Sequence, residues 1–356
     1  MTTTAPPPSP DPGNRSGPDP DSGTGSAVRL DPYARRFLDA VREAGGPPLE
    51  ALSPRQARAR AAAGSGTPVV LPPADIDERE IEAGPGRSVL LRTVRPRGAR
   101  GPLPVVVYAH GGGWVLGDRH TYDRAVRELA HASGAAVAFV EYSRSPEARY
   151  PTALREVYAA VAWLARHGAV LGLDGTRLAV AGDSAGANLA TAAAMLAARR
   201  GTPRLRAQVL FYPALDAGFD TPSYREFAED HFLTESQMRW FWDQYTPDAT
   251  ARTEPAAAPA RAAAEDLAGL PPTLVVTAEA DVLRDEGEAY ARALLAAGVE
   301  VTAVRYLGTV HSFTAQDPLA GSPAARAATA QAGWMLRQAL AVPDPDPGPR
   351  PGPDPR

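Results

Sequence analysis

The chain has 356 residues, 44% hydrophobic and 22% charged, enough to bury a large core in one domain or two. A net charge of -4 gives no reason to expect nucleic acid or an anionic membrane as partner. The absence of cysteine excludes disulfides, thiolate metal sites and a cysteine nucleophile.

Residues 1–27 are mostly Pro, Gly, Ser, Asp and Thr, and 343–356 are Pro-rich; both are too polar to offset ordering entropy and are expected to be disordered tails. The opening stretch has neither the basic start nor the apolar run of a secretory signal, and no apolar segment is long enough to cross a bilayer. A cytoplasmic protein is the expectation. Between the tails, 28–342 is expected to form one domain.

That domain starts with a helical lead-in, residues 30–63. "DIDEREIEA" and "SVLLRTVRP" flank Gly84-Pro85-Gly86, a hairpin signal. The β-branched runs "PVVVYAH", "AAVAFVEY", "RLAVAG", "RAQVLFYP", "PTLVVTAEA" and "VEVTAVRYL" follow as further strands. Alanine-rich helical stretches such as "ALREVYAAVAWLARH" lie between most of them. Near-continuous apolar strands alternating with helices predict an α/β fold with a mostly parallel sheet and helices on both faces. The opening hairpin adds an antiparallel edge. Residues 216–268 interrupt the alternation with an aromatic-rich insertion. A connection of that length commonly forms a lid or binding element. The lead-in and the insertion are expected to pack together as a helical cap over the strand ends.

"RLAVAGDSAGANLA" holds Gly182-Asp183-Ser184-Ala185-Gly186 between a strand and a helix. A G-x-S-x-G turn at that junction is the pattern of a nucleophile elbow, where the serine adopts unfavourable backbone angles and flanking glycines relieve crowding. A glycine-bordered turn with a capping residue is the competing reading. A serine nucleophile needs a base, and the base an orienting acid, in the chain order serine, acid, histidine. Of six histidines, His131 and His167 fall near helix ends, where capping is expected, and His231 lies in the insertion. His311, after the last strand, is the candidate base. Asp281 lies in the strand-to-helix loop of "TAEADVLRDEGEAY" and is the candidate acid, with Glu279 second. Asp285 and Glu286 fall in the first turn of the next helix, where acids suit the helix dipole.

"AHGGGWVLGD" follows the strand "PVVVYA", and its consecutive glycines allow backbone N–H groups to converge on an oxyanion. Gly112, Gly113 and Ala185 are the expected donors, with His110, Gly111, Gly182, Asp183 and Gly186 as supporting motif positions. Trp240, Phe241, Trp242 and Tyr245 either line an acyl pocket or form the cap's own core.

With "HGGGW", "EYSRSPEARYP", "GDSAGANLA", "DVLRDEGEAYARAL" and "VHSF" in this order, the chain resembles the bacterial hormone-sensitive-lipase-like family of α/β-hydrolases, in the branch with a GDSAG elbow. The resemblance covers roughly residues 30–340. It implies an eight-stranded sheet, a Ser184–Asp281–His311 triad, hydrolysis of short- to medium-chain carboxylic esters, and no cofactor or metal. A small-molecule ester is the implied partner, and homodimers occur among such enzymes. The chain departs from the family in Tyr142-Ser143-Arg144-Ser145-Pro146-Glu147, where Tyr-Arg-Leu-Ala-Pro-Glu is usual, and in Ser312, where glycine commonly follows the histidine. The same groups would serve an amide hydrolase, a deacetylase or an acyltransferase. A ligand-binding module that keeps the fold is the reading from another class.

Overall fold

A computed structural model describes Met1 and residues 28–63 and 67–341; apart from Met1, the expected tails at 1–27 and 343–356 lie outside the described residues. Eight strands form one sheet in the order β1-β2-β4-β3-β5-β6-β7-β8. β1 (Ala74–Gly84) and β2 (Arg87–Pro96) are the expected hairpin, and β2 also runs antiparallel to β4 (Ala136–Glu141). From β4 onward, through β3 (Leu103–Ala109), β5 (Leu173–Asp183), β6 (Gln208–Phe211), β7 (Thr273–Ala280) and β8 (Val301–Val310), every pairing is parallel. β3, β4, β6 and β7 are buried almost residue by residue, which explains why their sequences read as apolar runs without alternation. β1 forms one edge and presents a nearly continuous exposed row of charged side chains, a composition that discourages edge-to-edge association.

Helix pairs pack on the sheet. α3 (Asp123–Ser133) lies against α10 (Pro323–Ala341), and α4 (Thr152–His167) against α5 (Ala185–Arg200). Most of α5 is buried, and its run of alanines lets it sit close beneath β5, β3 and β6. Arg199 and Arg200 occupy its last turn, where cations suit the dipole, and Gly201 ends it in the left-handed conformation.

The lead-in divides at Gly45-Gly46-Pro47-Pro48 into α1 (Pro32–Ala44) and α2 (Pro54–Ala63). The insertion carries α6 (Pro222–Glu226), α7 (Glu235–Tyr245) and α8 (Ala264–Leu267); α9 (Arg284–Ala296) then follows β7. Phe37 of α1 meets Phe232 edge-on at 4.9 Å, and Ser236 of α7 donates to Glu50 at 2.6 Å. The two segments that break the strand–helix alternation therefore touch each other. Among the described residues no helix is long and apolar enough to cross a membrane.

Candidate active site

Because β3, β5, β7 and β8 run parallel, their carboxyl ends open on one edge of the sheet, where open α/β folds place their ligands. The glycine loop follows β3, Ser184 follows β5, Asp281 follows β7 and His311 follows β8. Ser184 has φ 54° and ψ -122°, backbone angles that an L-residue holds only when its surroundings enforce them. The enforcement is visible. The Ser184 N–H donates to the Phe211 carbonyl at 2.9 Å, and its own carbonyl accepts from Asn188 and Ala214. Asn188 Nδ2 in turn donates to the carbonyls of Ala214 and Ala257, which pins the chain beyond β6 beside the turn.

The glycines around Ser184 answer to close backbone approach. A Cβ on Gly186 would overlap the carbonyl oxygens of Ala109 and His110, and one on Gly182 would overlap Gly186 itself. No side chain fits at either place.

His311 Nε2 lies 3.0 Å from Ser184 Oγ, and His311 Nδ1 lies 2.7 Å from Asp281 Oδ2. The carboxylate accepts a hydrogen bond from Nδ1–H, which keeps the proton on that nitrogen and leaves Nε2 to accept from the serine hydroxyl. The other carboxylate oxygen accepts the Leu283 N–H at 3.0 Å. All three residues are buried. Glu279, the second candidate acid, instead accepts the Gly308 N–H at 2.7 Å and braces β8.

The glycine loop is held from below. The Gly111 N–H donates to Asp183 Oδ1 at 2.9 Å, the Tyr108 hydroxyl donates to the same oxygen, and the Tyr122 hydroxyl to Oδ2. Asp183, the residue preceding Ser184, thus ties the loop to the serine turn. Burial pushes its carboxyl up to about 6, against the downward pull of its three donors. Gly112 and Gly113 adopt φ of 90° and 60°. Their N–H groups and that of Ala185 have no hydrogen-bond partner among the described residues, as an anion-binding set requires.

His110 is structural. Its Nδ1–H donates to the Gly111 carbonyl at 2.9 Å, its ring stacks on Tyr142 at 4.1 Å, and burial lowers its pKa to about 4. The divergent segment 142–147 also braces this loop. Tyr142 donates to the His110 carbonyl, Ser145 N to the Trp114 carbonyl, and Arg144 to the Gly117 carbonyl. Ser143, where arginine is usual, donates its N–H and hydroxyl to Glu156. Ser312 has φ 62°, which explains why glycine commonly follows this histidine.

α7 lies on the glycine loop. A Cβ on Gly113 would overlap the Phe241 ring, and Trp114 stacks on Tyr245 at 4.2 Å with Trp242 edge-on at 4.8 Å. Phe241, Trp242 and Tyr245 are buried, and Trp240 is half-buried. Trp242 and Tyr245 thus join a packed core shared between insertion and loop, while Phe241 covers the loop at Gly113.

Several contributors escaped the sequence reading. Asp285 and Glu286 do more than suit the dipole of α9: Asp285 accepts the Ser223 N–H, and Glu286 accepts those of Leu215 and Asp216. Burial raises the Glu286 pKa well above the carboxylate range. Tyr212 sets its ring edge-on to His311 at 4.9 Å. His131 does not cap its own helix; its Nε2 meets the Pro73 carbonyl. Nothing in the local spacing separates a dipole acid from a buried brace; only tertiary packing does.

The fold and this serine–histidine–aspartate arrangement define a class, the α/β-hydrolases. A family model for the alpha/beta hydrolase fold matches residues 106–315. A putative alpha/beta hydrolase of Acanthamoeba polyphaga mimivirus is 37% identical over 297 residues, 83% of this chain and 84% of its own. Carboxylesterase NlhH of Mycobacterium tuberculosis is 40% identical over 261 residues, 72% of this chain and 81% of its own. The crystal structure of a thermostable esterase from Pseudomonas putida superposes with a TM-score of 0.87 at 50% identity, covering 90% of this chain and 100% of that one. The chain belongs to the α/β-hydrolase family, in its hormone-sensitive-lipase-like branch.

Proposed function

We propose that the protein is a serine carboxylesterase in which Ser184 is the nucleophile, His311 the base and Asp281 the orienting acid. The observation that carries this reading is the unbroken chain of contacts from Asp281 Oδ2 through both ring nitrogens of His311 to Ser184 Oγ. The esterase relatives support it.

In the reaction, Ser184 Oγ attacks the ester carbonyl carbon as His311 Nε2 takes its proton. Asp281 holds the ring in the required tautomer and stabilises the imidazolium. The N–H groups of Gly112, Gly113 and Ala185 receive the charge that develops on the carbonyl oxygen. Collapse expels the alcohol, which takes the proton from His311, and leaves an acyl-serine. Water, deprotonated by His311, then releases the acid.

Residues 30–63 and 216–268 act together as a cap over this site, and the filled cluster of Trp114, Trp242 and Tyr245 favours a small-molecule ester with a short to medium acyl chain. Hydrolysis of p-nitrophenyl butyrate tests the reading. The wild type should turn it over, and Ser184→Ala should lose at least about a thousandfold in kcat. Full turnover by the alanine variant would refute it.

A further inference from the structure

We propose that Arg124, on α3 and remote in sequence from all three residues above, is a positioning residue for His311. The inference rests on the function proposed above. The segment after His311 leaves β8 through Ser312 in a left-handed conformation, and its internal ties are a pair of turn bonds, from the N–H groups of Ala315 and Gln316 to the Ser312 carbonyl. Outside the turn, Tyr212 meets the Thr314 hydroxyl at 2.6 Å.

The strongest grip on this segment is a single guanidinium. Arg124 Nη2 donates to the carbonyls of Thr314 at 3.1 Å and Ala315 at 2.8 Å, and its Nε donates to Asp317 Oδ1 at 2.7 Å. Its Nη1 donates to Glu128 Oε2 at 2.7 Å, which anchors the fork to its own helix. The side chain is 3% exposed. A buried cation is retained only where its N–H groups are partnered, and here each of its three nitrogens is. Three of the four bonds end on residues three to six places beyond His311. The fixed fork of arginine can reach two adjacent carbonyls and a carboxylate together; a lysine ammonium at the same place cannot.

The consequence concerns the 3.0 Å contact between His311 Nε2 and Ser184 Oγ. With the fork gone, the loop retains its turn but loses its attachment to α3, and the imidazole is free to drift. A displacement of about 1 Å at a reacting group can cost about a hundredfold in rate. The loss should fall on kcat, because the groups that meet the substrate are unchanged.

The test uses the whole enzyme as wild type, Arg124→Lys, Arg124→Gln and Asp317→Asn. Turnover of p-nitrophenyl acetate is divided by the sites titrated with a p-nitrophenyl phosphonate, so that misfolded protein does not count. Arg124→Lys should lose about tenfold or more in kcat per site with KM within about twofold. Asp317→Asn, partly exposed and still carrying an acceptor oxygen for Arg124 Nε, should show a smaller loss in the same direction. Proton NMR gives a readout apart from turnover: the His311 Nδ1 proton shared with Asp281 should broaden in Arg124→Lys. Normal kcat per site in Asp317→Asn and in every folded Arg124 variant would overturn the proposal, as would an unaltered Nδ1 resonance in Arg124→Lys. A wild type inert to both ester and phosphonate would refute the esterase reading instead, and the resonance would still decide on the clamp.

Discussion

His311 Nε2 stands 3.0 Å from Ser184 Oγ, although 127 positions separate the two residues and their strands are not neighbours. β5 and β8 are three strand spacings apart, on the order of 14 Å across the sheet. The loop after β8 must therefore reach back along the carboxyl edge, and Asp281, from β7 between them, catches the ring on the way. If that aspartate sets the tautomer, Asp281→Asn should keep the fold and lose about ten-thousandfold in kcat, because an amide can present its N–H₂ to Nδ1 and favour the wrong ring proton. Steady-state kinetics beside an unchanged circular dichroism spectrum would check this.

Gly186 has no room for a side chain, since the atoms it would meet are carbonyl oxygens of β3 and the loop that follows it. Backbone cannot rotate aside as a flexible side chain can. Gly186→Ala should therefore destabilise the protein by about 3 kcal/mol, at the upper end for overpacking, as read by urea denaturation. A midpoint equal to wild type would mean that the elbow is looser than these contacts require.

Gly113 and Phe241 are coupled across the boundary between loop and insertion. Gly113→Ala should push the loop off its alignment and lose activity, approaching the hundredfold or so of a missing oxyanion donor. Phe241→Ala removes the ring that the new methyl group would meet. The double variant should recover part of the loss, and a double-mutant cycle measures how much.

Asp183 makes stability depend on pH. Its folded pKa is raised to about 6, above the 3.8 of the free side chain. Well below pH 4 the group is protonated in both states and costs the fold nothing. As pH rises from there to about 6 the unfolded chain ionises first, and stability falls by roughly 3 kcal/mol, remaining lowered above. Asp183→Asn keeps acceptors for Gly111 and Tyr108 without a charge. Melting temperatures measured from pH 4 to 7 should decline less steeply in the variant than in the wild type.

Much of this was legible in the chain because it is local. The central strands β3, β4, β6 and β7 are apolar runs, and the turn at Ser184 is punctuated by glycines whose necessity is close backbone approach. The serine, acid and histidine could be nominated because each follows a strand, and parallel strands share an edge. What was not legible depends on partners far away in sequence. Glu286 resembles any acid in a first helical turn until Leu215 and Asp216 donate to it. Arg124 resembles any arginine on an amphipathic helix until the loop beyond His311 wraps onto it. Trp242 and Tyr245 suited a pocket or a core equally well by spacing, and only contact with Trp114 decided between the two.

The central claim is that Ser184 bonds covalently to the acyl carbon. Mass spectrometry of peptides from enzyme treated with a p-nitrophenyl phosphonate tests it most directly, with ester hydrolysis followed in parallel. One adduct per chain on the peptide containing Ser184, accumulating as activity disappears, is the expected result. An adduct elsewhere, or full activity in protein completely labelled at Ser184, would contradict it.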